Sequence, residues 1–385
     1  MKVLMLTCNN SLQDGINRHI LAVAPAVNLL EGLEVAVCTT FGRGEINEAL
    51  ERQGVKTYAL GLPHGHDLRT WIRFRKVMRE FRPDVVHCHV LGLFQRYYLD
   101  LFYPQLPRVY TCHGINDIES GVRKIGFRDR LDGWVGRFRP AAFWRKRGKC
   151  TTIYISEGVR RHKNAKGAVI YNPIAFDAAN AVKDANVLRT ELGLARDAKV
   201  IGTACRISLP KRPQLFVATM CKVMQRLADV HAVVCGTSND AALMSDLRRI
   251  VSESGVAARF HWLGYRADAP QIAKELDCFV MTSATEGMPT ALLEAMAVKT
   301  PIAFMRGKGG LVDLDEFDKS EGPIAAVADA GDVDGLADKI YALLNNSPQA
   351  QANAERAFAC GARHFDVAKI ADQLARICHI IQNLG

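Results

Sequence analysis

The chain has 385 residues, 49% of them hydrophobic, which is too long for one ordinary core and fits two domains. No apolar run reaches the roughly 20 residues that a membrane-spanning helix needs, so none is expected. The net charge of +10 favours an anionic partner, whether nucleotide, nucleic acid or lipid headgroup. Eleven scattered cysteines without a Cys-x-x-Cys read as buried free thiols of a reducing compartment.

Lys2 to Thr7 reads as a first strand; no small-residue cleavage site follows it, as a signal peptide would require. A polar loop, Cys8 to Asp14, leads to Gly15 and a helical pattern through Ile16, Ile20, Ala24 and Val27. This strand, glycine loop and helix begin an α/β nucleotide-type fold, although Gly-x-Gly-x-x-Gly is absent. Val35–Phe41 and Val55–Leu60 read as strands with a helix between them, and Leu68–Phe81 as a basic amphipathic helix ended by Pro83. Asp84–His89 is the next strand and its exit. His87 and His89 fall on one side of it, but a metal needs three or four ligands and no third is near in sequence. His64 and His66 lie in a Pro/Gly loop. Arg108–Gly114 is a further strand ending in His113-Gly114, which is either a ligand contact at a strand's carboxyl end or an ordinary turn.

Residues 121–150 differ from the rest. Ten basic residues face only Asp129 and Asp132, interleaved with Phe127, Trp134, Phe138, Phe143 and Trp144. That composition fits an anionic membrane surface, with Arg137, Arg139, Trp144, Arg145 and Arg147 as contacts to membrane or acceptor. It also fits a plain helix with core aromatics, or single-stranded nucleic acid.

Thr151–Ile155 and Ala168–Tyr171 read as the last strands of the first half, and the Ala/Asp/Asn-rich stretch 174–186 as a linker. The alternation then restarts. Strands are expected at Lys199–Cys205, Val230–Cys235, Arg259–Leu263, Asp277–Met281 and Pro301–Phe304. Helices are expected at Gln214–Leu227, Val333–Leu344, Ala352–Phe358 and Val367–Asn383, with a long loop from Arg306 to Gly322.

The stretch Thr282–Val298 concentrates the chemistry. A buried strand turns through Glu286-Gly287-Met288-Pro289 into a helix carrying Glu294. Two carboxylates can accept from hydroxyls, and the helix start around Met288, Thr290 and Ala291 favours an anion. Alternatively Glu286 only favours the helix start and Glu294 is a solvated helix residue. Upstream, Arg206 and Lys211 follow another strand and suit a diphosphate, and Gly236 and Gly264-Tyr265 leave strand exits open to close approach.

Together these residues resemble the retaining GT-B glycosyltransferases of family 4. The carriers are Gly15, Asp84–His89, Thr111-Cys112-His113-Gly114, Val169–Pro173, Arg206 with Lys211, Gly264-Tyr265, and Glu286–Thr290 through Glu294–Ala297. The resemblance covers nearly the whole chain. It implies an α/β GT-B fold of two Rossmann-like, doubly wound parallel-sheet domains facing across a cleft. The acceptor domain is expected at 1–175, with a helix at about 366–385 packing back on it, and the nucleotide domain at 176–365. It further implies that Arg206 and Lys211 stabilise the leaving diphosphate, that Glu286 orients the sugar and His113 contacts it, and that Glu294 holds the ribose. Gly15, Gly236, Gly264, Tyr265, Gly287, Met288, Pro289 and Thr290 are the further donor contacts. Transfer is expected with retention, without metal and without a cofactor beyond a UDP- or GDP-linked sugar. The expected acceptor is a lipid-linked saccharide, at the inner face of the cytoplasmic membrane and without nucleic acid. The resemblance departs at two places: Asp14-Gly15 stands where the family often has Gly-Gly, and Asp313 stands where it often has Glu. Competing readings are a sugar-nucleotide epimerase on the same fold and a basic nucleic-acid-binding protein. The second leaves Glu286 and Glu294 without a role.

Overall fold

A computed structural model describes residues 1–63, 67–115, 149–176, 186–317 and 322–383. His64 and His66, and Arg137, Arg139, Trp144, Arg145 and Arg147, lie outside the described residues. The chain divides into two compact units, Met1–Pro173 with Val367–Gly385, and Ile174–Asp366.

The first unit runs β1 (Lys2–Thr7), α1 (Gly15–Asn28), β2 (Glu34–Thr39), α2 (Glu45–Glu51), β3 (Lys56–Ala59), α3 (Arg69–Phe81), β4 (Val85–Cys88), α4 (Leu93–Phe102), β5 (Arg108–Cys112), β6 (Cys150–Tyr154), α5 (Glu157–His162) and β7 (Ala168–Val169). Its strands form one parallel sheet in the order β3-β2-β1-β4-β5-β6-β7. Parallel strands are buried on both faces, which is why Val3–Leu6 and Val35–Cys38 are unbroken apolar runs. Asp14 caps α1 by accepting from the Ile16 N–H at 2.9 Å. On the opposite face of the sheet, α3 stops at Arg82, which turns into the left-handed region at φ 52°, and Pro83 bars continuation. One face of the sheet carries α1 and the helix Val367–Asn383; the other carries α3 and α4. The C-terminal helix buries Ile370, Leu374 and Ile381 there, each contributing roughly 1.5–3 kcal/mol.

The second unit runs α6 (Val187–Glu191), β8 (Lys199–Ala204), α7 (Pro213–Arg226), β9 (Val230–Cys235), α8 (Ala241–Glu253), β10 (Phe260–Gly264), α9 (Ala269–Lys274), β11 (Cys278–Met281), β12 (Thr285–Glu286), α10 (Thr290–Ala297), β13 (Ile302–Met305), β14 (Lys308–Gly309), α11 (Gly310–Glu316), β15 (Ala326–Ala328), α12 (Val333–Asn345) and α13 (Ser347–His364). Six strands pair in parallel as β10-β9-β8-β11-β13-β15, and β12 pairs with β14. The helix Val367–Asn383 is α14 and belongs to the first unit.

Several expectations are corrected. The supposed loop Arg306–Gly322 contains β14 and α11, and Asp313 is a buried residue of α11. Ala352–Phe358 is the middle of the 18-residue α13. The strand expected at Ala168–Tyr171 stops at Val169, and β15 was not expected. The chain leaves the first unit after Pro173 and returns after Asp366. These crossings are neighbours: the Ile174 N–H donates to the Phe365 carbonyl at 2.8 Å, and Ile174 bridges to Asp366.

In both sheets the strand order reverses beside the first strand, between β1 and β4 and between β8 and β11. At such switch points the connections depart in opposite directions and leave a crevice outside the carboxyl ends of the strands.

Candidate functional site

In the second unit, β8 ends at Ala204, and Arg206 follows, exposed and without an ion pair among the described residues. A tight turn, Leu209–Lys211, then precedes α7. The turn is tied to the exit of the neighbouring strand β11. Thr282 Oγ1 donates to the carbonyls of Lys211 and Arg212, both at 3.1 Å, and the Ala284 N–H donates to the Pro210 carbonyl at 2.8 Å. With its backbone held there, Lys211 reaches across the switch point. Its Nζ stands 2.5 and 2.6 Å from the two carboxylate oxygens of Glu286, whose side chain is 9% exposed. Bringing two charges out of water costs about as much as their attraction returns. The pair is therefore better understood as charge held ready than as a source of stability. Beside it lies a cavity of about 20 Å³ lined by Thr203, Cys205, Ile207, Thr282 and Ser283, room for a single water.

Gly264 leaves its Cβ side open, and Tyr265 beside it is exposed. Met288 is buried, Pro289 immediately precedes α10, Thr290 opens the helix, and Glu294 is half-buried along it. The Gly287 carbonyl accepts from the Gly310 N–H at 3.0 Å. Gly236 has a different explanation from the one expected. Its N–H donates to the Gly264 carbonyl at 2.6 Å, and a Cβ would overlap the Cys205 carbonyl, so β8 and β10 fill the space. Gly15 is open on its Cβ side, but the helix start beside it already holds an anion, the Asp14 carboxylate, which also accepts from Asn9 Nδ2 at 3.1 Å. That weakens the expected phosphate contact there.

The first unit places four histidines together at its own switch point. His19 comes from α1, His87 from β4, His89 from the exit of β4 and His113 from the exit of β5. Ring centroids are 4.1 Å apart for His87–His89, 5.2 Å for His89–His113, 5.3 Å for His19–His89 and 5.1 Å for His19–His113. His89 Nδ1 is 3.0 Å from His113 Nε2, His87 Nε2 is 2.7 Å from Thr111 Oγ1, and His19 Nδ1 is 3.0 Å from Asn172 Oδ1. Burial pushes His19 down to about 4 and His87 to about 3, the charge of a protonated His19 adding to the second. His89 and His113 are lowered well below the ordinary value, again first by burial and then by their histidine neighbours. All four are neutral at pH 7. No third ligand stands near His87 and His89 in sequence; the fold supplies His113 and His19, but as tilted, edge-on and hydrogen-bonded rings. Among the described residues no three His, Cys, Asp or Glu side chains are placed to hold a metal ion.

His19 and Asn172 were missed as partners. The signals were a histidine inside the apolar face of α1 and an asparagine at a strand exit, and neither says which residue it meets.

Two family descriptions match the chain: "Glycosyltransferase Family 4" over residues 13–177 and "Glycosyl transferases group 1" over residues 198–346. The chain is 31% identical over 274 residues to the UDP-Gal:α-D-GlcNAc-diphosphoundecaprenol α-1,3-galactosyltransferase of Escherichia coli, a match covering 66% of this chain and 65% of that protein. It is 26% identical over 196 residues to the lipopolysaccharide core biosynthesis mannosyltransferase LpsB of Rhizobium meliloti, covering 50% of this chain and 55% of that one. These matches thus span between about half and two thirds of the relatives' length. In structure the chain resembles Anabaena HepE, solved with UDP and glucose, at TM-score 0.77 and 20% identity over 99% of this chain and 100% of that one.

Proposed function

The chain belongs to the group 1 glycosyl transferases of family 4, with the GT-B fold, and on that footing we propose that it transfers a hexose-type sugar from a UDP- or GDP-linked donor to a lipid-linked saccharide in cell-surface polysaccharide assembly. The observation that carries the proposal is the Lys211–Glu286 pair spanning the switch point of the second unit. A diphosphate offers Lys211 more negative charge than one carboxylate does. On donor binding Lys211 exchanges Glu286 for the diphosphate, with Arg206 joining it, and both stabilise charge that grows as the diphosphate leaves. Glu286, released, accepts hydrogen bonds from sugar hydroxyls. Glu294 takes the ribose, Gly264, Tyr265 and Gly287–Thr290 line the nucleotide, and His113 contacts the sugar. Lys211 and Arg206, rather than a metal ion, supply the counter-charge. Transfer proceeds with retention, the donor phosphate helping to deprotonate the acceptor, and no further cofactor takes part. The name of the E. coli relative, which pairs UDP-Gal with a diphosphoundecaprenol-linked acceptor, supports a uridine donor and a lipid diphosphate acceptor.

A membrane-facing acceptor also needs a surface to work from. Leu68 at the start of α3, Ile72 on it, and Leu101 and Phe102 on α4 are 72%, 77%, 60% and 52% exposed. Leu68, Ile72, Arg75 and Arg79 share one helical face, and Phe102 packs on Trp71 of α3 with centroids 5.7 Å apart. Arg75, Lys76, Arg79 and Arg82 are exposed and in no ion pair among the described residues. Arg79 and Arg82 also line a hollow of about 470 Å³. Apolar and cationic side chains on one face match the interface of an anionic leaflet.

The test is a thermal-shift panel of UDP, GDP, ADP and their sugars. A ligand at a hundred times its Kd stabilises by ~2.7 kcal/mol, and Lys211→Met should remove most of that shift. If no nucleoside diphosphate shifts the wild type, or if Lys211→Met shifts as the wild type does, the donor site is not at Lys211.

A further inference from the structure

The hydrogen bonds among the histidines determine where their protons sit. His89 Nδ1 and His113 Nε2 are 3.0 Å apart, so one of these nitrogens donates to the other. The remaining nitrogen of His89, Nε2, is buried and has no partner among the described residues. Two neutral arrangements satisfy the pair. If His113 donated, the proton of His89 would stand on Nε2, a buried N–H with nothing to accept it. If His89 donates, Nε2 is only an unused lone pair. Orphaned buried N–H groups are rarer and costlier than under-used acceptors, so His89 is the donor. The proton of His113 then stands on Nδ1, because its Nε2 accepts. His87 obeys the same rule. Its Nδ1 is buried without a partner among the described residues, so Nε2 carries the proton and donates to Thr111 Oγ1. His19, donating from Nδ1 to Asn172 Oδ1, stands edge-on to His113 at 84° and braces its ring.

We propose that His89 is a positioning residue that locks His113 as the Nδ1–H tautomer. His113 then presents a hydrogen-bond donor, not an acceptor, to whatever occupies the carboxyl end of β5. The described residues supply no partner for that nitrogen, and His113 is half-buried rather than sealed off. An N–H in this position suits an oxygen with free lone pairs, such as a sugar hydroxyl or a phosphoryl oxygen, and rejects a bare ammonium. The ligand side of this inference rests on the reading of His113 as a sugar contact; the tautomer side does not. Which nitrogen of His113 carries the proton was invisible to sequence, since it depends on an atom 24 residues away.

The experiment uses the full chain labelled with 15N-histidine and a long-range 1H–15N correlation spectrum, with His113 assigned by its loss in His113→Ala. The expected result is an Nδ1–H tautomer in the wild type. His89→Asn places an amide N–H where Nδ1–H stood and should keep it. His89→Leu has no donor, and His89→Gln, used if the leucine variant does not fold, carries its amide N–H near the Nε2 rather than the Nδ1 position; either should move His113 to Nε2–H or to a mixture. An Nε2–H tautomer in the wild type, or a tautomer indifferent to all three substitutions, overturns the proposal. Release of UDP from UDP-galactose gives the second readout. His89→Leu should lower kcat by about 10- to 100-fold, the usual cost of losing the partner that orients a functional histidine, and His89→Asn should recover most of it. If the tautomer follows His89 while His113→Ala turns over normally, the positioning role stands and the ligand contact at His113 falls.

Discussion

Acidification titrates the four clustered histidines of the first unit, three buried and His113 half-buried, against surroundings that disfavour their charged forms. In the unfolded chain a histidine titrates near 6.5. In the folded chain His19 is held at about 4 and His87 at about 3. Between pH 6.5 and 4 the unfolded state therefore binds protons that the folded state refuses. Stability is complete above about pH 6.5 and is lost as the pH falls toward the folded values. Each group contributes ~1.4 kcal/mol per pH unit in that window, so at pH 5.0 His19 and His87 together remove ~4 kcal/mol. His89 and His113 are shifted the same way and add to the loss. A domain's whole stability is on the order of 5–15 kcal/mol, so the effect is large. Urea unfolding at pH 7.5, 6.5, 5.5 and 5.0 measures it. The midpoint should fall only slightly between the first two and steeply afterwards, and His87→Phe should lessen the slope by one group's share. A midpoint unchanged down to pH 5.0, or an equal slope in His87→Phe, would show that these histidines are not held neutral by the fold.

Three further outcomes are expected. Lys211→Met and Glu286→Gln should each lower turnover by about 10²- to 10³-fold, and the double variant should lose little more, because the two act as one unit; multiplying losses would show independent roles. Gly361→Ala should destabilise by roughly 1–3 kcal/mol despite alanine's better helix propensity, since a Cβ there overlaps the Phe176 ring; a raised Tm would contradict that packing. Ile72→Glu with Phe102→Glu should abolish flotation with phosphatidylglycerol vesicles, and flotation equal to the wild type would remove α3 and α4 as the docking face.

Much of the architecture was readable from residue order because doubly wound sheets leave a strong trace. Strands buried on both faces are short apolar runs closed by a polar or glycine exit, as at Cys278–Met281 followed by Thr282. Amphipathic helices such as Val367–Asn383 show a period that strands cannot mimic. The misses have physical causes too. Ala326–Ala328 is three small residues, too short to show a period, and is a strand only because β13 pairs with it. The helix Gly310–Glu316 opens on glycines, which favour turns when no partner is known.

Residue order thus determined which side chains stand at the carboxyl ends of strands: Arg206 and Lys211, Glu286, His89 and His113. It could not determine what each of them meets. Lys211 and Glu286 are 75 residues apart in sequence, and His19 and Asn172 are 153 apart. Such pairings follow from strand order and from tight turns such as Leu209–Lys211 tied to Thr282. Burial did the rest. It made the four histidines neutral and aligned their hydrogen bonds, and it moved Gly236 from a suspected ligand contact to a packing necessity. Burial and pairing are properties of the closed chain, so only the tertiary structure decided them.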